Sequence, residues 1–113
     1  MKGIITLCGS TKFRDEFLEA NKWLTLGGWV VLMPGVFGNL ERDKSVKELI
    51  KNRKAFLDDL HLQKINMSEC ILVIDADGYI GNSTKSEIAW AEIHDVGVYY
   101  LSTPDIIEEL NNG

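Results

Sequence analysis

Cys70-Ile71-Leu72-Val73-Ile74 is an unbroken apolar run, followed by Asp75-Ala76-Asp77-Gly78-Tyr79-Ile80-Gly81-Asn82-Ser83-Thr84-Lys85-Ser86-Glu87. Five apolar residues rich in β-branched side chains, bounded by a polar stretch, read as a strand covered on both faces. The polar stretch carries two glycines and is too irregular for either period, so it reads as a loop. From Glu87 to His94, Ile88, Ala89, Ala91 and Ile93 return at helical spacing. Strand, loop and helix in that order form half of a βαβ unit.

Outward from this stretch the same alternation recurs. Ile4 to Cys8 is a short strand-like run stopped by Gly9. Phe13, Phe17, Leu18, Leu24 and Leu26 then recur at roughly helical spacing up to Gly27-Gly28, which suits a left-handed helix end. Trp29 to Met33 is a second strand, and residues 34 to 45 form a long loop of a kind that often serves function. From Ser45 an apolar stripe of Val46, Leu49, Ile50, Phe56, Leu57, Leu60 and Ile65 predicts one or two helices. Val98 to Leu101 is a fourth strand, and residues 105 to 110 form a short helix with Pro104 at its start. The order β-α-β-α-β-α-β-α predicts a single α/β domain over 1–113. Its expected form is a Rossmann-like or flavodoxin-like three-layer fold with a parallel sheet of four to five strands. Ligands of such sheets bind at the carboxyl ends of the strands, here the loops 9–12, 33–45, 75–84 and 102–104.

Composition narrows the partners. The 113 residues are 45% hydrophobic and 26% charged, with 12 basic and 17 acidic side chains giving a net charge of −5. This balance argues against a nucleic-acid polymer as partner, which calls for a basic face, but not against a small anion, which responds to local groups. No apolar run approaches the ~20 residues that span a bilayer. Met1-Lys2-Gly3 leads straight into a strand, without the pattern of a secretory signal. A cytoplasmic protein with no membrane partner is expected. Cys8 and Cys70 lie in apolar runs without a CxxC partner and read as buried free thiols. There is no HxxxH, HExxH or Cys/His cluster and no GxSxG, so neither a metal, a cofactor nor an acyl-transfer serine is expected.

Three places carry candidate chemistry. Gly9-Ser10-Thr11-Lys12-Phe13-Arg14 joins a strand to a helix; helix-terminal amides, hydroxyls and the charges of Lys12 and Arg14 suit a phosphate, while plain helix capping by Ser10 or Thr11 is the simpler alternative. The 75–87 loop supplies two acids, Tyr79, Asn82 and three hydroxyls, with Glu87 in the first turn of the helix that follows. Thr84-Lys85-Ser86-Glu87 also fits a capping box, as does Ser45-Val46-Lys47-Glu48, which would give both glutamates a purely structural task. His61 and Lys64 lie three apart on one helix face, with Asp58 a turn earlier; a histidine there can act as an acid or bind phosphate, or simply sit at a boundary.

Leu7-Cys8-Gly9-Ser10, together with Ile74-Asp75 and Gly81 through Ala91, resembles the nucleoside 2-deoxyribosyltransferase superfamily, which includes the 2'-deoxynucleoside 5'-phosphate N-hydrolases. The resemblance extends over roughly residues 3 to 101 and includes His61, Lys64-Ile65, Gly78 to Gly81, Ser83-Thr84 and Glu87-Ile88. It implies cleavage or transfer of the N-glycosidic bond of a nucleoside or nucleoside 5'-monophosphate. Glu87 would be the nucleophile at the anomeric carbon. Ser10, with Arg14 or Lys12, would hold a 5'-phosphate on the turn at Gly9; Tyr79, Asn82 and Ser83 would line the sugar site, with Gly81 and Thr84 as further substrate-binding residues. It further implies a homodimer or higher homo-oligomer whose subunits complete one another's pockets. Three positions depart from the family. An aspartate of the long helix falls on or near His61, an aspartate six residues before the glutamate is Gly81, and a tyrosine of the first strand is Thr6. Tyr79 and Asp75 or Asp77 are the residues at hand to replace them. A non-catalytic nucleotide-binding module on the same fold is the rival expectation.

Overall fold

The computed structural model describes residues 1–113 as a four-stranded parallel sheet between two helical layers. The elements are β1 (Gly3–Gly9), α1 (Arg14–Leu26), β2 (Trp29–Leu32), α2 (Lys44–Asn52), α3 (Lys54–Asn66), β3 (Cys70–Ile74), α4 (Asn82–Ile93), β4 (Gly97–Tyr100) and α5 (Ile106–Asn112). The strand order is β2-β1-β3-β4, every neighbour parallel. This is the expected α/β fold, with four strands.

Alternation along the two central strands builds both cores. Ile5 and Leu7 of β1, with Cys70, Leu72 and Ile74 of β3, face Phe17, Ala20 and Leu24 of α1 and Ile106 of α5. Cys8 of β1, with Ile71 and Val73 of β3, faces Ile65 of α3 and Ala91 of α4. Every residue of β3 is buried, which explains why its sequence shows no alternation at all. Each fully buried large side chain here contributes about 1.5–3 kcal/mol of transfer free energy.

The order reverses direction between β1 and β3. The chain leaves β1 toward β2 on one side, covering one face with α1, and later leaves β3 toward β4 on the other side, covering the opposite face with α4. The carboxyl ends of β1 and β3 are therefore the topological switch point, where the two following loops diverge and leave a crevice. Gly9 makes the junction possible: a Cβ there would come within 2.8 Å of the Ile74 carbonyl oxygen.

Several boundaries differ from the sequence expectation. The 44–66 stretch, expected as one helix or two, is two, with the break at Arg53 (φ −111°, ψ 21°). α2 starts at Lys44 because Asp43 caps it, its carboxylate accepting from the Ser45 and Val46 amides at 2.9 and 3.3 Å. The Ser45–Glu48 capping box is thus displaced by a stronger cap two residues upstream. α4 starts at Asn82 rather than at Glu87, with Gly81 as its extended N-cap. Pro104 lies outside α5, which starts after Asp105 in a left-handed turn (φ 60°). No helix is long and apolar enough to cross a membrane.

α2 buries none of its residues, and the elbow it makes with α3 leaves Leu49, Phe56 and Leu60 exposed by 52%, 56% and 43%.

Candidate active site

Glu87 lies in the second turn of α4, five residues past Asn82. That position overturns the capping box: a capping glutamate must stand three residues after the cap, and the cap is Gly81. Thr84, the residue that the box would make the cap, is instead buried inside the helix. The Glu87 side chain points inward and keeps only 14% of its surface exposed.

Two other elements close on it. His61 of α3 brings Nε2 to 3.7 Å from Glu87 Oε1, and Cys8 of β1 brings Sγ to 3.4 Å from the same His61 nitrogen. Thiol, imidazole and carboxylate lie within 4.8 Å of one another. Cys8 is fully buried and His61 nearly so. At the outer edge Lys54 of α3 pairs with Asp58 at 2.7 Å and reaches Ser83 Oγ at 3.4 Å, joining α3 to α4 beside the carboxylate.

Burial sets the charges of this cluster. It pushes Glu87 up to about 7, with the Cys8 thiol pulling down, Asp58 pushing up and Lys54 pulling down by smaller amounts. It drives His61 down to about 4, helped by Lys64 and opposed by Asp58. It holds the Cys8 thiol well above the usual range, with Glu87 reinforcing the shift. The 3.7 Å approach of His61 and Glu87 is therefore not an ion pair: between about pH 4 and 7 both groups are predominantly neutral. At neutral pH His61 is uncharged, one ring nitrogen accepting and the other carrying its proton. Of the roles open to it in the sequence, acid, phosphate ligand or boundary residue, its burial speaks against the first two in their charged form. Its Nδ1 is buried with no hydrogen-bond partner.

The remaining candidates are distributed around this centre. Asp75 is buried and its carboxylate is taken up by Ser102, which donates from its amide at 2.9 Å and its hydroxyl at 2.6 Å. It ties the end of β3 to the turn after β4, so its expected catalytic role gives way to a structural one. Tyr79 packs its ring under Lys12 Nζ at 3.8 Å and edge-on to Phe13. Its hydroxyl stands 3.2 Å from where a Cβ on Gly81 would be. Asn82 and Ser83 are exposed in the first turn of α4. Ser10 caps the turn Thr11–Phe13 through a 3.4 Å bond from the Lys12 amide, and Asn39 reaches across to Ser10 and Thr11 at 3.5 and 3.0 Å. Arg14 lies in an open groove with Lys12 and Arg42, alongside Asp15, Glu16 and Glu41; Glu87 is not among the lining residues. Lys64 is turned away, donating to the Met33 carbonyl at 2.8 Å. Thr6 bonds Ser68 and the Lys64 carbonyl near the opposite end of α3. The strand residue that meets Glu87 is instead Cys8. Its position two residues beyond Thr6, on the same face of β1, was the available signal.

Comparison with protein-family models, with curated proteins and with solved structures gives no match, so the site stands on its own geometry.

The charge state of Glu87 is a stability statement with a definite sign. Folding raises its pKa from 4.5 to about 7, so the stability it contributes is fully present below pH 4.5 and lost as pH rises through 7. His61, lowered from 6.5 to about 4, loses stability in the opposite direction over much the same range, and does so with or without Glu87. The Glu87→Gln protein should match wild type at pH 4 and exceed it at pH 8, by on the order of 3 kcal/mol. Urea unfolding at the two pH values measures this; equal stability at pH 8 would contradict the burial of the carboxylate.

Proposed function

We propose that this protein cleaves or transfers the N-glycosidic bond of a nucleoside or nucleoside 5'-monophosphate, with Glu87 as nucleophile. The observation that supports this most is the place of the Glu87 carboxylate, inward-facing and mostly buried on the helix that follows β3, at the switch-point crevice. The likeness of the 7–10 and 74–91 stretches to the nucleoside 2-deoxyribosyltransferase superfamily points the same way.

The steps follow from carboxylate chemistry. The ionised Glu87 attacks the anomeric carbon as the C–N bond breaks, and the base departs with the bonding pair and takes up a proton. The resulting glycosyl ester is opened by water, or by a second base in a transfer. Neutral His61, 3.7 Å from the carboxylate, can accept the proton of an incoming water, as a weak base because burial holds it at about 4. Tyr79 presents its hydroxyl next to Gly81, where it can stand in for the acid that the family carries at that position. The turn at Ser10, with Arg14 exposed and free of ion pairs, is the place for a 5'-phosphate. One observation favours the rival, a binding module without chemistry: Asp75 is committed to Ser102, which leaves the exposed Asp77 as the one other carboxylate of the loop after β3.

Incubation with a panel of nucleosides and 5'-monophosphates, watched for free base, separates the two. Glu87→Gln should abolish turnover while substrate still binds, because an amide cannot form the ester. Glu48→Gln, exposed on α2, should be silent. Turnover should rise with pH through about 7 as Glu87 ionises. Full activity in folded Glu87→Gln protein would end this reading, and binding without turnover in wild type would establish the module instead.

We further propose that the chain works as a homodimer or higher homo-oligomer through the α2–α3 elbow. Its exposed Phe56 and Leu60 share a helix with Lys54 and Asp58 at the edge of the site, so a second copy seated there would stand beside the pocket that the family completes with a neighbour. Sedimentation at micromolar concentration should give a mass of at least twice 12.7 kDa, reduced to the monomer in Phe56→Glu. A clean monomer for wild type would refute it.

A further inference from the structure

The Cys8–His61–Glu87 cluster brings together a sulfur, an imidazole nitrogen and a carboxylate, each from a different element: β1, α3 and α4. None of the three is near another in sequence, so no motif announces the set, and the sequence pattern argued against a metal. A tetrahedral zinc ion, with Zn–S of about 2.3 Å and Zn–N or Zn–O of about 2.0–2.2 Å, holds its donor atoms about 3.3–3.6 Å apart. The separations present are 3.4 Å for sulfur to nitrogen and 3.7 Å for nitrogen to oxygen, with all three atoms within 4.8 Å. We propose that Cys8 Sγ, His61 Nε2 and the Glu87 carboxylate together bind one divalent cation of the zinc class.

Donor chemistry selects that class. Thiolate and imidazole disfavour magnesium and calcium and suit zinc or cobalt. Charge balance favours it too. One thiolate, one carboxylate and a neutral imidazole around a dication make a complex with no net charge, which a buried site tolerates. Binding releases the Cys8 proton to solvent, together with the Glu87 proton where it is still held. His61 already has Nε2 facing the other two donors and is neutral at pH 7, as a ligand must be. Glu87 is the most exposed of the three and is the way in from solvent. Three protein donors leave a fourth position for water or for an oxygen of a bound ligand.

Affinity should be moderate. Metal-binding histidines usually donate their other nitrogen to an outer partner, and losing such a partner costs about 10–100-fold. Here Nδ1 of His61 has none. A micromolar site, filled and emptied with the cation supply, fits this better than a permanent structural one. The proposal stands independently of the glycosidic chemistry. Where that chemistry holds, the cation occupies the nucleophile and silences it.

The test uses the metals themselves on the full chain. Cys8 and Cys70 are its only cysteines, so Cys70→Ser leaves Cys8 as the sole thiol. Titrated with Co²⁺, this protein should develop a near-ultraviolet thiolate-to-cobalt charge-transfer band and the visible bands of tetrahedral cobalt, saturating at one ion per chain. Zn²⁺ should displace the cobalt, while Mg²⁺ in large excess should not. His61→Ala should weaken binding at least tenfold, and Cys8→Ser should remove the charge-transfer band. Absence of that band at millimolar Co²⁺ in both wild-type and Cys70→Ser protein would overturn the proposal, as would a band that survives Cys8→Ser. Loss of base release in the activity assay leaves this spectroscopic result untouched, so the two readings fail separately.

Discussion

The pairing of β1 with β3 is the constraint from which the rest follows. Five consecutive register pairs, Ile5 with Cys70 through Gly9 with Ile74, join the two central strands. Parallel strands in the middle of a sheet must be covered on both faces, and each must be followed by a crossover to one side or the other. Because the crossovers after β1 and β3 go opposite ways, the ends of these two strands become a crevice rather than a packed edge. Gly9 keeps that end of the pair tight, and β1 carries Cys8 one residue before it, on the face where α3 and α4 pack.

The position of Glu87 follows from this arrangement and has a cost. A carboxylate set on the inner side of α4, against the thiol of β1 and the imidazole of α3, loses water without gaining a cation at hydrogen-bond distance. The fold accommodates it by keeping it protonated up to about pH 7, while His61 is kept neutral down to about pH 4. Buried ionisable groups with shifted pKa values in a crevice mark sites of chemistry more often than sites of stability. A purely structural role would be met better by an apolar or amide side chain.

Much of the architecture was legible from local pattern. Cys70–Ile74 coincides with β3, Val98–Leu101 overlaps β4, and the alternation of strands and helices led directly to a parallel sheet, because these depend on apolar periodicity that the sequence displays openly. Helix starts were less legible. The pattern of a serine or threonine three residues before a glutamate occurs at both 45–48 and 84–87, yet neither pair caps a helix. Asp43 outcompetes Ser45 with a charged acceptor, and Gly81 opens α4 three residues before Thr84. Which neighbouring residue caps a helix depends on the path of the chain entering it, and short motifs do not rank the candidates.

The site was legible in its centre and not in its surroundings. Glu87 and His61 were both identified from sequence, and the structure brings them together. Cys8 reads from the sequence as a buried thiol, which it is, but its contact with His61 depends on the tertiary packing of α3 over β1 and has no trace in local sequence. Asp75 follows a strand and opens a polar loop, a place that suggests chemistry, yet each of its carboxylate oxygens accepts a bond from Ser102, 27 residues away. Tyr79 packs against Lys12 and Phe13, two residues that its own loop does not contain. In each case the deciding partner lies far along the chain.

Everything turns on α4 holding the Glu87 carboxyl mostly buried, next to Cys8 and His61. The direct measurement is a pH titration of the side-chain carboxyl carbons by NMR in protein labelled at glutamate, with Glu87 assigned from the Glu87→Gln spectrum and chelator present throughout. The account predicts one glutamate titrating near pH 7, missing in Glu87→Gln, while the ring nitrogens of His61 stay in the neutral form until the pH nears 4. A Glu87 that titrates near 4.5 with the ordinary surface glutamates would contradict it.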